Sequence, residues 1–128
     1  MAIQSRFADL EVPLLVAVGG FFGANARYAV GLAVPGLTGT FVANVTGSFV
    51  LGFVVYEAMY TDYLTERGRL LLSTGFISSY TTYSTFAFES VSAGPLVGLL
   101  NVGVSYGFGF AGVVAGRALA LRLRGDSR

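Results

Sequence analysis

The chain has 128 residues, of which 54% are hydrophobic, 18 more are glycine and only 12% are charged, about half the charged share of a soluble domain. With a mean hydropathy of +0.69, this composition points to an integral membrane protein of one domain. A net charge of +1 excludes general attraction to nucleic acid, and the lack of Cys and His removes thiolate chemistry, disulfides and the commonest general base and metal ligand. An enzyme is not expected.

Charges are confined to a few places. From Val12 to Tyr56 the only charged residue is Arg27, and from Leu70 to Gly116 the only one is Glu89. Each window is too long for one helix, and each contains one break, at Pro35-Gly36 with Gly39 and at Gly94-Pro95. A polar break runs from Thr61 to Arg69. These leave spans of about 13–34, 39–60, 70–93 and 95–121, each long enough for a ~30 Å hydrocarbon core. Strand-type alternation is absent, so four transmembrane helices are expected rather than a barrel.

The first span carries Gly19-xxx-Gly23 and Gly20-xxx-Ala24, spacing that lets helix backbones approach closely. Arg27 lies about two turns from its outer end, where a permanent cation needs a partner or water. It can concentrate anions at a pore mouth or snorkel to the interface. In the second span Thr40, Asn44 and Ser48 share a helical face at four-residue steps. Asn offers an NH₂ donor to an anion and a carbonyl to a cation; the same stripe can also serve interhelical hydrogen bonding. Glu57 and Glu89 lie near span ends, where pairing or snorkelling is the default.

The third span is the most unusual. Between Ser73 and Thr85, ten of thirteen residues carry a hydroxyl. Such residues compete for the helix backbone or crowd it. Two outcomes are open: a broken helix that presents carbonyls to a small ion, or an intact helix whose hydroxyls bond back to their own turn. Tyr83 and Phe86, at i and i+3, share a face, and the positive edges of their rings can meet an anion. The fourth span carries Gly103, Gly107, Ala111 and Ala115 at four-residue steps, and Gly112-xxx-Gly116, suited to close packing within the subunit or to a subunit interface.

Orientation follows from arginine. Arg6, Arg67, Arg69, Arg122, Arg124 and Arg128 fall on one side of a four-span arrangement, and the two opposite connections carry none. The positive-inside rule then puts both termini in the cytoplasm.

Three motifs carry a resemblance. Gly19-Gly20-xx-Gly23-Ala24-xx-Arg27-Tyr28, Gly39-Thr40-xx-Ala43-Asn44-xx-Gly47-Ser48-Phe49-xx-Gly52 and Thr74-Gly75-Phe76-xxx-Tyr80-Thr81-Thr82-Tyr83-Ser84-Thr85-Phe86-xx-Glu89 resemble, in order and spacing, the first three helices of the Fluc (CrcB-type) fluoride channel family. The resemblance implies four-helix subunits in the cell membrane, assembled as antiparallel dimers with two fluoride paths. It implies a third helix broken at mid-membrane, with a structural Na⁺ held there by backbone carbonyls, here those of Ser78 and Thr81. Asn44, with Thr40 and Ser48, would face the fluoride path; Tyr83 and Phe86 would hold the two aromatic positions, Tyr106 would begin a fourth-helix polar track, and Arg27 would lie toward a vestibule. The function implied is passive fluoride export that protects the cytoplasm.

The chain departs from the family pattern in three places. Ser78-Ser79 replaces Gly-Gly, Tyr83 replaces Phe, and Phe110 and Val114 stand where the fourth-helix track usually continues with Ser. Two other readings remain at this level. A small four-helix, dual-topology, proton-coupled exporter needs a mid-membrane carboxylate, where the first span has Arg27. A non-conducting partner subunit would complete another chain's pore. The arginine count outside the spans, six against none, favours a single orientation and hence a mate that is an oppositely biased homologue.

Overall fold

The computed structural model describes residues 2–126, with side chains from Arg6 onward; Arg128, counted above for orientation, lies outside the described residues. Among these residues there is no strand. Helix α1 runs Ala2–Ala33, α2 Leu37–Tyr60, α3 Glu66–Arg69, α4 Ser78–Tyr80, α5 Ser84–Ser92 and α6 Pro95–Asp126. A π-helical stretch, Leu70–Ile77, joins α3 to α4, so residues 66–80 form one continuous helical rod with a widened middle.

Three segments are long and apolar enough to cross a membrane: Arg6–Ala33, Leu37–Tyr60 and Pro95–Asp126. The remaining apolar window is not a single helix. Its rod ends at Tyr80, Thr81 is extended with φ −83° and ψ 160°, and α5 begins at Ser84. Of the two outcomes that the hydroxyl-rich sequence leaves open, the break is the one found.

The chain turns where its breakers sit. Gly94 adopts φ +87°, the left-handed geometry that ends a helix, and Pro95 opens α6, where its missing N–H costs nothing. Between α2 and α3 the connection winds around Glu57, which is fully buried. Its carboxylate accepts from the Leu64 amide at 2.7 Å and from Arg69 Nε at 3.3 Å. Arg69 also reaches Asp62 at 2.6 Å, and Arg67 pairs with Glu11 of α1. Pairing, rather than snorkelling, is what Glu57 does.

Close backbone approach holds the helices. A Cβ on Gly19 would sit 2.2 Å from the Leu71 carbonyl oxygen, and one on Gly23 would sit 2.2 Å from that of Phe76, so α1 lies directly on the π-helical stretch. On the other side α2 and α6 cross backbone to backbone: a Cβ on Gly116 would fall 2.2 Å from the Phe49 oxygen. Nothing lies within 4 Å of the Cβ positions of Gly103 and Gly107. Of the glycines in the two fourth-span motifs, Gly112 and Gly116 are therefore packed and Gly103 and Gly107 are open. Few side chains are buried, and large apolar groups such as Leu32, Phe88, Val91 and Leu99 face outward, as expected where lipid or another subunit is the surrounding medium.

Overpacking the α2–α6 crossing should cost about 1–3 kcal/mol. Gly116→Val is expected to lower the thermal unfolding midpoint in detergent, whereas Gly103→Ala leaves it unchanged.

Candidate functional site

The break in the helix is held by a side chain from another helix. Asn44, on α2, accepts from the Thr82 amide through Oδ1 at 2.8 Å and donates from Nδ2 to the Thr82 carbonyl at 2.9 Å. An Asn amide carries one donor edge and one acceptor edge, so it pairs with an extended residue as a neighbouring strand would. One turn on, the Ser48 hydroxyl donates to the Asn44 carbonyl at 2.8 Å.

This clasp has a consequence for the carbonyls. In an unbroken α-helix the Thr82 amide would bond the Ser78 carbonyl and the Thr85 amide the Thr81 carbonyl. Here the Thr82 amide goes to Asn44, and the Thr85 amide goes to Thr82 Oγ1 at 3.2 Å. The Ser78 and Thr81 carbonyls thus lose their helical donors. Meanwhile the Ser78 hydroxyl bonds back to the Thr74 carbonyl and to that of Gly75 at 3.2 Å, so it is the main-chain oxygen that is released. Main-chain oxygens of this kind are the ligand type that hard cations such as Na⁺ take. Among the described residues no cluster of His, Cys, Asp or Glu could hold a metal instead.

Beside the clasp lies a cleft of about 350 Å³ between α2, the break and α6. Asn44, Ser48, Thr81, Tyr83, Phe86 and Tyr106 line it, with Thr82, Ser105, Gly109, Phe110 and Val113. None of these residues is charged. Its wall is a run of aromatic rings. Tyr83 and Phe86 have centroids 6.1 Å apart, Phe86 meets Tyr106 edge-on at 6.2 Å, and Tyr106 meets Phe110 at 6.4 Å. Phe86 is buried, whereas Tyr83 is 74% exposed.

The sequence-predicted residues thus separate into three groups. Asn44, Ser48, Tyr83, Phe86 and Tyr106 come together in the cleft. Ser78 lines a second groove with Arg69, Val54 and Ile77, and Thr81 borders both. Thr40 and Arg27 are apart from both: buried Thr40 accepts from Arg27 Nη2 at 2.9 Å, while the buried Nε of Arg27 has no partner among the described residues.

Sequence reasoning missed Thr82, whose backbone and hydroxyl both build the break. It also missed a polar seam on α6. Asn101 donates to Ser90 at 2.8 Å, Ser105 reaches Asn101 at 3.4 Å, and Ser90 bonds the Phe86 carbonyl at 2.7 Å. The signal was present, since Asn101 and Ser105 stand at the four-residue step sought instead from Tyr106 through Phe110 to Val114. Phe110 joins the cleft wall, and Val114 is not among the lining residues.

An interrupted helix beside an uncharged polar-aromatic cleft, in a helical membrane protein, suits transport. Comparison with known proteins agrees. The model of the CrcB-like protein, Camphor Resistance (CrcB) family matches residues 14–117. A protein of Haloarcula marismortui named fluoride-specific ion channel FluC 1 is 49% identical over 128 residues, covering 100% of both chains. One of Halobacterium salinarum named fluoride-specific ion channel FluC 2 is 47% identical, again over 100% of each. A third, FluC 1 of Natronomonas pharaonis, is 45% identical over 80% of this chain and 88% of its own. The chain belongs to the CrcB-like family.

Removing the clasp leaves two backbone groups of Thr82 without partners, at about 1–3 kcal/mol each where buried. Asn44→Ala should therefore lower the unfolding midpoint markedly. Ser48→Ala removes only a hydroxyl bonded within its own helix and should shift the midpoint little.

Proposed function

We propose that the chain is a subunit of a fluoride-selective channel that lets fluoride leave the cytoplasm down its gradient, across the cell membrane. The observation that carries this is full-length similarity, at 49% and 47% identity, to proteins named fluoride-specific ion channels, joined to a cleft whose lining suits a small anion. Fluoride would lose water to the Asn44 amide, which keeps one N–H beyond the clasp, to the hydroxyl of Tyr83, and to the positive ring edges of Phe86 and Tyr106. No fixed cation lies in the cleft to trap the ion. Arg27, with its unpartnered Nε, would stand at a vestibule and raise the local anion concentration. A proton-coupled exporter would need a carboxylate in this space, and the lining residues include none.

In this reading residues 70–93 form a further membrane span, third in chain order and broken at mid-membrane, and residues 1–128 form a single transmembrane domain. The released carbonyls of Ser78 and Thr81 would hold a structural Na⁺ together with oxygens of an antiparallel mate. The outward Tyr83 and the unpacked Gly103 and Gly107 support assembly with such a mate. The one-sided arginine count favours a paralogous subunit inserted the other way round, and relatives are named both FluC 1 and FluC 2. Both termini would then be cytoplasmic.

Fluoride efflux from liposomes, measured for the chain alone and with a paralogue, tests the channel. Efflux is expected to vanish in Phe86→Ile with assembly intact and to fall when Na⁺ is replaced on both sides. Efflux unchanged by both Phe86→Ile and Asn44→Ala would remove the cleft from the path, and indifference to Na⁺ would remove the cation. Reporter fusions at the C-terminus should give a cytoplasmic signal; equal signals on both sides would mean dual insertion and a homodimer.

A further inference from the structure

The far ends of α2 and α6 carry an arrangement separate from the cleft. Tyr56 and Tyr60, one turn apart on α2, stack with centroids 6.0 Å apart and planes 14° from parallel. The guanidinium of Arg117 lies over the Tyr56 ring, 5.4 Å from its centroid. That of Arg124, seven residues further along α6, lies over the Tyr60 ring at 5.5 Å. A guanidinium mounted on a ring face keeps its plane fixed while its edge donors point past the ring.

Not every arginine at this level is paired with a carboxylate. Arg67 and Arg69 are matched by Glu11, Glu57 and Asp62. Arg117 is exposed and has no carboxylate partner among the described residues. Depth provides a second, independent argument. Arg117 is twenty-two residues past Pro95, roughly 33 Å of helix, and Tyr56 is nineteen past Leu37, roughly 29 Å. Two helices thus bring the cluster to the edge of a ~30 Å hydrocarbon core, the layer where lipid phosphates are concentrated. A guanidinium fork matches a phosphate bidentately.

We propose that the ladder of Arg117 on Tyr56 and Arg124 on Tyr60 is a binding site for the phosphate of an anionic phospholipid headgroup. The site is set apart from a general basic collar by the ring faces that fix its guanidinium planes. Arg122, on the same helix end, is exposed and has no such mount among the described residues.

Native mass spectrometry of the purified full chain, titrated with phosphatidylglycerol or phosphatidylcholine, tests this. The wild type should retain phosphatidylglycerol in preference. Arg117→Gln with Arg124→Gln should weaken that retention roughly thirtyfold, taking the usual surface contribution of each arginine. Tyr56→Leu with Tyr60→Leu should weaken it several-fold with charge unchanged, and Arg122→Gln should leave it intact. Retention unaltered in the double arginine variant, or lost equally in Arg122→Gln, would overturn the site in favour of none or of a diffuse collar. Displacement by excess inorganic phosphate would overturn the lipid in favour of free phosphate. If the arginine variant does not fold, the tyrosine pair decides: equal retention overturns the proposal.

Discussion

A helix interrupted inside an apolar stretch of chain frees backbone groups where water is scarce, and each freed group costs free energy until it finds a partner. In this protein the partner is Asn44. Its amide takes both the N–H and the C=O of Thr82, and Thr82 Oγ1 takes the amide of Thr85. With those donors redirected, the break becomes a stable feature, and its unbonded oxygens, at Ser78 and Thr81, lie at a defined place. The aromatic residues just beyond are set by the same event, because Tyr83 precedes α5 and Phe86 lies in its first turn.

The rest of the fold positions the two sides of that clasp. Asn44 is carried by α2, which is locked to α6 through Gly112 and Gly116, and the hydroxyl-rich rod is carried by α1 through Gly19 and Gly23. Glu57 fastens the connection between α2 and the rod by accepting from Leu64 and Arg69. The π-helical stretch Leu70–Ile77 sits where α1 presses closest, and such irregular turns tend to mark functional segments. The α5–α6 crossing is fixed by Ser90 and Asn101, with Gly98 beneath Ser90. Phe86, one turn before Ser90, is thereby held against Tyr106.

The departures from the family pattern acquire physical content in this setting. Ser78 and Ser79 sit where the family has Gly-Gly, yet the chain breaks only after Tyr80. Ser78 contributes by bonding its hydroxyl back to the preceding turn, which leaves the rod helical up to the break. Tyr83 keeps a ring in place and adds a hydroxyl on an outward face. Phe110 extends the aromatic wall, while on α6 Asn101 bonds Ser90 and Ser105 lines the cleft.

Much was legible in the sequence because composition and spacing act locally. Windows holding a single charge each marked the apolar segments, Gly94-Pro95 marked the turn into α6, and Asn44, Tyr83 and Phe86 stood out as polar or aromatic residues at helical spacing. The sequence left the hydroxyl run undecided, since the same Ser and Thr residues can bond back into a helix or leave it. Only the tertiary structure decided, because the choice depends on Asn44, thirty-eight residues away from Thr82, reaching across to take up its backbone. The same holds for Thr40, which shares a face with Asn44 but turns to Arg27, and for Ser105, whose place in the cleft depends on how α6 rotates against α2. Periodicity fixes which residues share a face; what that face meets depends on the packing of the other helices.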